Sequence, residues 1–145
     1  MENTEKIEKT AEENGELLFA DYGLSGIAVM QLSTLVARHM KQSKSVPAVR
    51  CDFVTEMTFG ELKDNIKRFA QHNKSVKAEN LLTGFMPKKL GEVVCKSVGV
   101  PPTKTAGELT ENDIKNISSA SKNFSFEIAG LRPFDDAQVT SGGAD

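Results

Sequence analysis

Apolar and polar positions change their period several times along this chain, and each change marks a candidate element. Residues 1–14, "MENTEKIEKTAEEN", are mostly Glu, Lys, Thr and Asn, with Ile7 the only large apolar side chain besides Met1. A segment that buries so little reads as a frayed or disordered lead-in, with a marginal edge strand as the alternative. "ELLFA" is then a short strand, bounded by Gly15 and by a Tyr22-Gly23 turn. From Gly26 to about Lys41 the pattern is helical. Ala28, Leu32, Leu35, Val36 and His39 form one stripe, and Ile27, Val29 and Met30 widen it near the start. A first turn apolar on all sides predicts burial there, whereas "RHMKQSK" at the far end is wet. "VPAVRCDF" alternates as a second strand, with Val49, Cys51 and Phe53 expected to face inward and Pro47 at its entrance.

The middle of the chain carries helix punctuation. Thr58-x-x-Glu61 is a capping box opening "FGELKDNIKRFAQH". "VKAENLL" reads as a short helix stopped by a left-handed Gly84. Pro87 stands where a first-turn proline is preferred, opening "KKLGEVVCKSV", which Gly99 and Pro101-Pro102 close. Thr110-x-x-Asp113 opens "ENDIKNISSAS". "NFSFEIAG" returns to strand alternation through Phe124, Phe126 and Ile128, and "DDAQVTSGGAD" is a last strand candidate ending on Gly142-Gly143. Strands, a helical block, then strands again make an α+β chain. The order is best explained by a helical lobe inserted into a small β-unit whose flanking strands pair across the insertion.

Composition narrows the classes. The 145 residues make one domain or two small lobes, and 39% apolar residues allow a modest core. A net charge of −2 with mixed signs argues against a general binder of nucleic acid or anionic membrane. Cys51 and Cys95 stand far apart with no Cys-x-x-Cys, so reduced, buried thiols are expected rather than zinc ligands or disulfides. With neither an apolar signal core nor a run near the roughly 20 apolar residues of a membrane span, a soluble cytoplasmic protein is expected.

Candidate chemistry concentrates at "DYGLSGI". A nucleophile elbow needs Gly-x-Ser-x-Gly, and here Gly23 and Ser25 are in place but Ile27 occupies the second glycine position. The candidate bases, His39 and His72, fall on solvated helix faces. Ser25 as a helix cap at a glycine-permitted corner is the better reading. An anion cradle is also open, since a glycine corner feeding a helix presents N–H groups, yet neither Gly-x-Gly-x-x-Gly nor a P-loop accompanies it. The second spot is Gly142-Gly143 after "AQVTS", where paired glycines let backbone pass close to a ligand or another segment, against the simpler reading of a terminal tail. Scattered His and Cys offer no metal site. Lys88, Lys89 and Lys96 are too few for a phosphate-backbone helix.

These ends together carry a resemblance. "GELLFADYGLSGIAVMQLS" (15–33), "LLTGFMPKKLGEVVCKSVGV" (81–100) and the segment 108–145 resemble, in order and at compatible spacing, the insert domain of the aminoacetone-oxidase-like (BaiN/YhiN-type) family of NAD(P)/FAD-dependent oxidoreductases. The resemblance implies a small, partial β-barrel with an inserted all-α lobe. Residues 15–57 and 122–145 would be the discontinuous barrel part with one helix, 58–121 the helical lobe, and 1–14 the lead-in. It implies that the cofactor, FAD, belongs to the full-length protein and that none is bound by this chain alone. The partner would be the Rossmann-like FAD domain, whose dinucleotide fingerprint would lie upstream of Met1 and whose last FAD-binding segment would follow Asp145. Gly142 and Gly143 would approach the cofactor, and Tyr22, Gly23, Ser25 and Gly26 would face the substrate pocket. No catalytic residue is implied. The chain departs from the family pattern at Ala20, Ile27, Ser141 and Ala144, where Thr, Pro, Ala and Val are usual. Missing barrel strands would leave open edges that favour self-association. Two rivals remain at this level: a stand-alone protein- or nucleic-acid-binding module using the helical lobe, and a small enzyme using Ser25.

Overall fold

The computed structural model describes residues 11–20, 23–43 and 47–128. Two compact units divide the chain, Met1–Pro47 with Glu127–Asp145, and Ala48–Phe126.

In the first unit, strand β1 (Leu18–Ala20) pairs antiparallel with β2 (Gly23–Ser25), in the register Leu18↔Ser25, Phe19↔Leu24 and Ala20↔Gly23. Helix α1 (Ile27–Gln42) follows after one residue. The helix matches the apolar stripe of the sequence, but its expected burial fails. No α1 residue is fully buried, and Ile27, in the supposedly buried first turn, is 71% exposed. Two three-residue strands offer too little surface to cover a first turn that is apolar all round.

The second unit holds the main core. Strand β3 (Ala48–Cys51) pairs with β4 (Phe124–Glu127). Its alternation is the one read from sequence: Cys51 is buried, Val49 half-buried, and Phe53 packs against the core. The Phe124 ring stands 5.8 Å from Phe53 and 4.9 Å from Phe126, within the range of favourable aromatic pairs. Helices α2 (Phe59–His72), α3 (Lys88–Ser97) and α4 (Glu111–Lys122) line the core together with Ala78, Leu81, Leu82, Met86, Val100 and Ala106 from the segments between them. Leu62, Ile66 and Ala70 of α2 recur every fourth residue, and Ile114, Ile117, Ser118 and Ser121 of α4 follow the same face. Ser118 and Ser121 are fully buried, yet each hydroxyl donates to the carbonyl four residues earlier, at 2.7 and 2.8 Å. No polar atom is stranded there.

Punctuation explains the helix starts. Thr58 and Thr110 close reciprocal capping boxes with Glu61 and Asp113, as their spacing predicts. The end of α3 is a Schellman turn. Gly99, at φ 80°, donates to Lys96 O, and Val100 donates to Cys95 O. Two expectations need correction. "VKAENLL" forms a 3-10 helix, Ala78–Leu82, and Gly84 is not left-handed. The turn stays right-handed, with Phe85 and Met86 N–H both donating to Leu82 O, so no glycine conformation is demanded. Pro87 precedes α3 as its cap rather than sitting in its first turn.

A second 3-10 turn, Ala106–Glu108, was not anticipated, although Thr105-x-x-Glu108 is itself a capping box. The two turns are tied reciprocally: Ala78 N–H donates to Lys104 O at 2.9 Å and Ala106 N–H to Val76 O at 2.7 Å. The described strands form two two-stranded sheets, and no barrel closes among the described residues. Among the described residues each strand has three or four residues and one partner, too few to circle into a barrel. The α+β class stands; the partial barrel is not seen in these elements.

Candidate functional site

The corner between β2 and α1 is set by one residue. Gly26 has φ 120° and ψ 165°, a conformation L side chains rarely adopt. A Cβ at this position would lie 2.4 Å from the Glu16 carbonyl oxygen, so the chain entering β1 presses directly on the helix start. Gly26, not Ser25, is the residue that caps α1, and no side chain donates or accepts a capping bond there. Ser25 instead closes β2 opposite Leu18. The sequence pointed to a hydroxyl because Ser is a favoured cap, but the close approach of Glu16 is tertiary and leaves no trace in residue spacing.

The first intrahelical bond runs from Met30 N–H to Gly26 O at 3.0 Å. The N–H groups of Ile27, Ala28 and Val29 precede it and have no intrahelical acceptor. The first turn of α1 carries no acidic side chain of its own, the charge that a helix N-terminus favours. Gly23, with φ 133°, has open space where a Cβ would stand, so backbone alone is presented at that point. Tyr22, Gly142 and Gly143 lie outside the described residues, as does the strand candidate before the paired glycines.

The sequence offers His39 and His72 as bases for Ser25. His39 is twelve residues along α1 from Ile27, about 18 Å at 1.5 Å per residue. The Nδ1 atom of His72 stands 2.8 Å from Arg68 O, on its own helix. Cys51 and Cys95 are free and buried. Burial pushes the Cys51 thiol up, and burial with Glu79 nearby pushes the Cys95 thiol up to about 11, the opposite of an activated nucleophile. Among the described residues no three His, Cys, Asp or Glu stand together as metal ligands.

A flavin would find only part of a site here. The described corner supplies bare backbone at Gly23 and helix N–H groups, but no enclosing cradle. Two grooves in the second unit, one of about 210 Å³ lined by Glu79, Glu92, Val93, Lys96, Val100 and Pro102, the other of about 170 Å³ between Lys67, Lys74, Gly107 and Glu111, are below the roughly 300–1,000 Å³ of small-molecule sites. The carboxyls near the second groove have structural duties. Glu111 is held below its usual range by the Lys67 ammonium at 2.6 Å, and Asp113 by Lys104 at 2.7 Å and by the Thr110 N–H. No described helix is long and apolar enough to cross a membrane.

Comparison with known proteins connects these pieces. The family model of the HI0933-like protein barrel and H2TH domain matches residues 1–139. Over 133 residues the chain is 30% identical to the 3-dehydro-bile acid delta(4,6)-reductase of Clostridium scindens, a match covering 92% of this chain and 32% of that protein. The chain therefore spans about a third of the length of this curated relative. Both findings agree with the resemblance carried by residues 15–33, 81–100 and 108–145, and the chain belongs to the HI0933-like barrel and H2TH domain family.

Proposed function

We propose that this chain is the substrate-side insert domain of an FAD-dependent oxidoreductase. It covers the flavin and shapes the substrate pocket of the complete enzyme, and it is inert alone. The observation that carries the reading is the family match over residues 1–139 together with a reductase relative of which the chain spans only 32%. In this reading residues 15–57 and 122–145 belong to a partial barrel completed by strands of the full-length protein. Residues 58–121, with two 3-10 turns between their helices, are the H2TH part. Tyr22, Gly23, Ser25 and Gly26 face the substrate cavity, and Gly142 and Gly143 pass the cofactor. The lack of acid in the first turn of α1 favours an electron-rich group near that helix start. When bound, FAD would supply the hydride chemistry, and the residues of this chain would position substrate and exclude water. The complete enzyme acts in the cytoplasm, and open β edges let the isolated domain self-associate.

The test is the visible absorption spectrum of the purified chain before and after addition of FAD and removal of the excess. A colourless protein is expected. A retained yellow band would give this chain a cofactor site of its own and sink the insert-domain reading.

A further inference from the structure

Among the described asparagines, Asn14 alone is followed by glycine. It stands in the approach to β1, outside any helix or strand, and both Asn14 and Gly15 are exposed. Neither the Asn14 side chain nor the Gly15 N–H forms a hydrogen bond among the described residues. The other described asparagines are held. Asn65, Asn112 and Asn116 lie within α2 and α4, and Asn80 within the first 3-10 turn. Asn73 and Asn123 are the C-caps of α2 and α4, and Asn73 Nδ2 donates to Phe69 O at 3.0 Å. Lys74 and Phe124 follow these caps, so a side chain shields the next backbone nitrogen. Gly15 has no such shield, and the wide φ range of glycine lets its nitrogen turn towards the asparagine amide. The two groups belong to adjacent residues, so attack is intramolecular and closes a five-membered ring.

We propose that Asn14 is a site of spontaneous covalent modification in the folded protein, converting to aspartate and isoaspartate through a cyclic imide with Gly15. The Gly15 nitrogen gives up its proton and bonds to Asn14 Cγ, the Cγ–Nδ2 bond breaks, and ammonia leaves. One water then opens the imide. Cleavage of the new N–Cγ bond restores the main chain and leaves aspartate. Cleavage at the Asn14 main-chain carbonyl leaves isoaspartate, whose peptide link runs through Cγ. One water is consumed, one ammonia is released, and nothing is oxidised or reduced. The product falls at a tight place. A Cβ on Gly15 would stand 3.3 Å from Ala28 Cβ in α1, and one residue further the Glu16 carbonyl lies against Gly26. Isoaspartate inserts an extra main-chain carbon directly before both contacts. Either product adds a carboxylate among Glu12, Glu13 and Glu16, charges that repel it. The modification therefore loosens the entrance of β1 from the start of α1.

The test incubates the purified chain in mildly alkaline buffer, folded and in urea, and follows each asparagine by peptide mass spectrometry. Exchange of the amide NH2 for OH raises the mass of the Asn14 peptide, and chromatography separates its two products. Folded Asn14 is expected to convert within about tenfold of the unfolded rate, because no bond of the fold holds it, while the other described asparagines stay intact. Folded Asn14 that survives while the unfolded chain converts overturns the proposal, since the fold then locks the amide. Survival in both states overturns it as well, and so does conversion spread evenly over the asparagines. Gly15→Ala should slow conversion in urea, where packing plays no part; an unchanged rate there would remove Gly15 from the reaction. The consequence is read by hydrogen exchange on the separated isoaspartate form. A faster amide at Met30, which donates to Gly26 O at 3.0 Å, is expected, and an unchanged one would overturn the loosening of α1.

Discussion

Gly26 shows how much one residue decides here. Its φ of 120° and the 2.4 Å that would separate a Cβ from Glu16 O act together, one through the backbone and the other through contact. Gly26→Ala is therefore expected to destabilise the start of α1 by about 1–3 kcal/mol, the scale of a forced unfavourable backbone conformation. Hydrogen exchange should show a faster Met30 amide, the first with an intrahelical bond (to Gly26 O), with those of α2 and α4 unchanged; an unaltered Met30 amide would refute the contact. Other single positions were legible from their neighbours alone. Thr58 and Thr110 announce their helices because a capping box is a local object, a hydroxyl and a carboxylate three residues apart. Gly84 was not legible, because glycine permits a left-handed turn without requiring one, and the right-handed bonds to Leu82 O decide the matter.

Among the elements, α4 is tied to the loop between β3 and α2 by one cation. The Lys122 ammonium donates to Val54 O at 2.8 Å and to Met57 O, and pairs with Asp52 Oδ2 at 2.7 Å. Asp52 also accepts the Val54 N–H at 2.9 Å, so residues 52–57 are organised around the end of α4. Lys122→Met would keep the aliphatic stem and leave two carbonyls without their donor. A loss of about 1–3 kcal/mol is expected, the cost of unsatisfied partly buried groups, measured as a fall in the urea midpoint with unchanged m-value. An unchanged midpoint would show that water replaces the ammonium freely. No spacing rule exposes this pairing, since its partners lie 65 and 68 residues apart. The reciprocal tie between the two 3-10 turns was hidden for the same reason.

For the whole molecule, acid is the revealing variable. Glu61 and Glu108 are held low by backbone N–H groups of Thr58 and Thr105, Glu111 by Lys67, and Asp113 by Lys104 and Thr110. A carboxyl whose folded pKa is depressed stabilises the fold fully above its unfolded value, and loses that contribution as pH falls through the folded one. Stability of the helical unit should thus be flat near neutrality and decline below about pH 4, the unfolded range of Asp and Glu. Thermal melts between pH 7 and pH 2 check this. The decline should flatten in the Asp113→Asn variant; an equally steep decline there would remove Asp113 from the account.

What the sequence determined by itself is the set of local objects: amphipathic faces, capping boxes, strand alternation at Val49, Cys51 and Phe53, and the three motifs that place the chain in its family. These depend on residues within about one or two helical turns, where chemistry and spacing act directly. Only the tertiary structure decided that Gly26 rather than Ser25 caps α1, that Ile27 and Met30 face outward, and that the described strands pair two by two. Each of those turns on contacts between residues distant in sequence, or on whether enough surface exists to cover an apolar face. A short strand pair cannot bury the start of α1, however apolar its first turn.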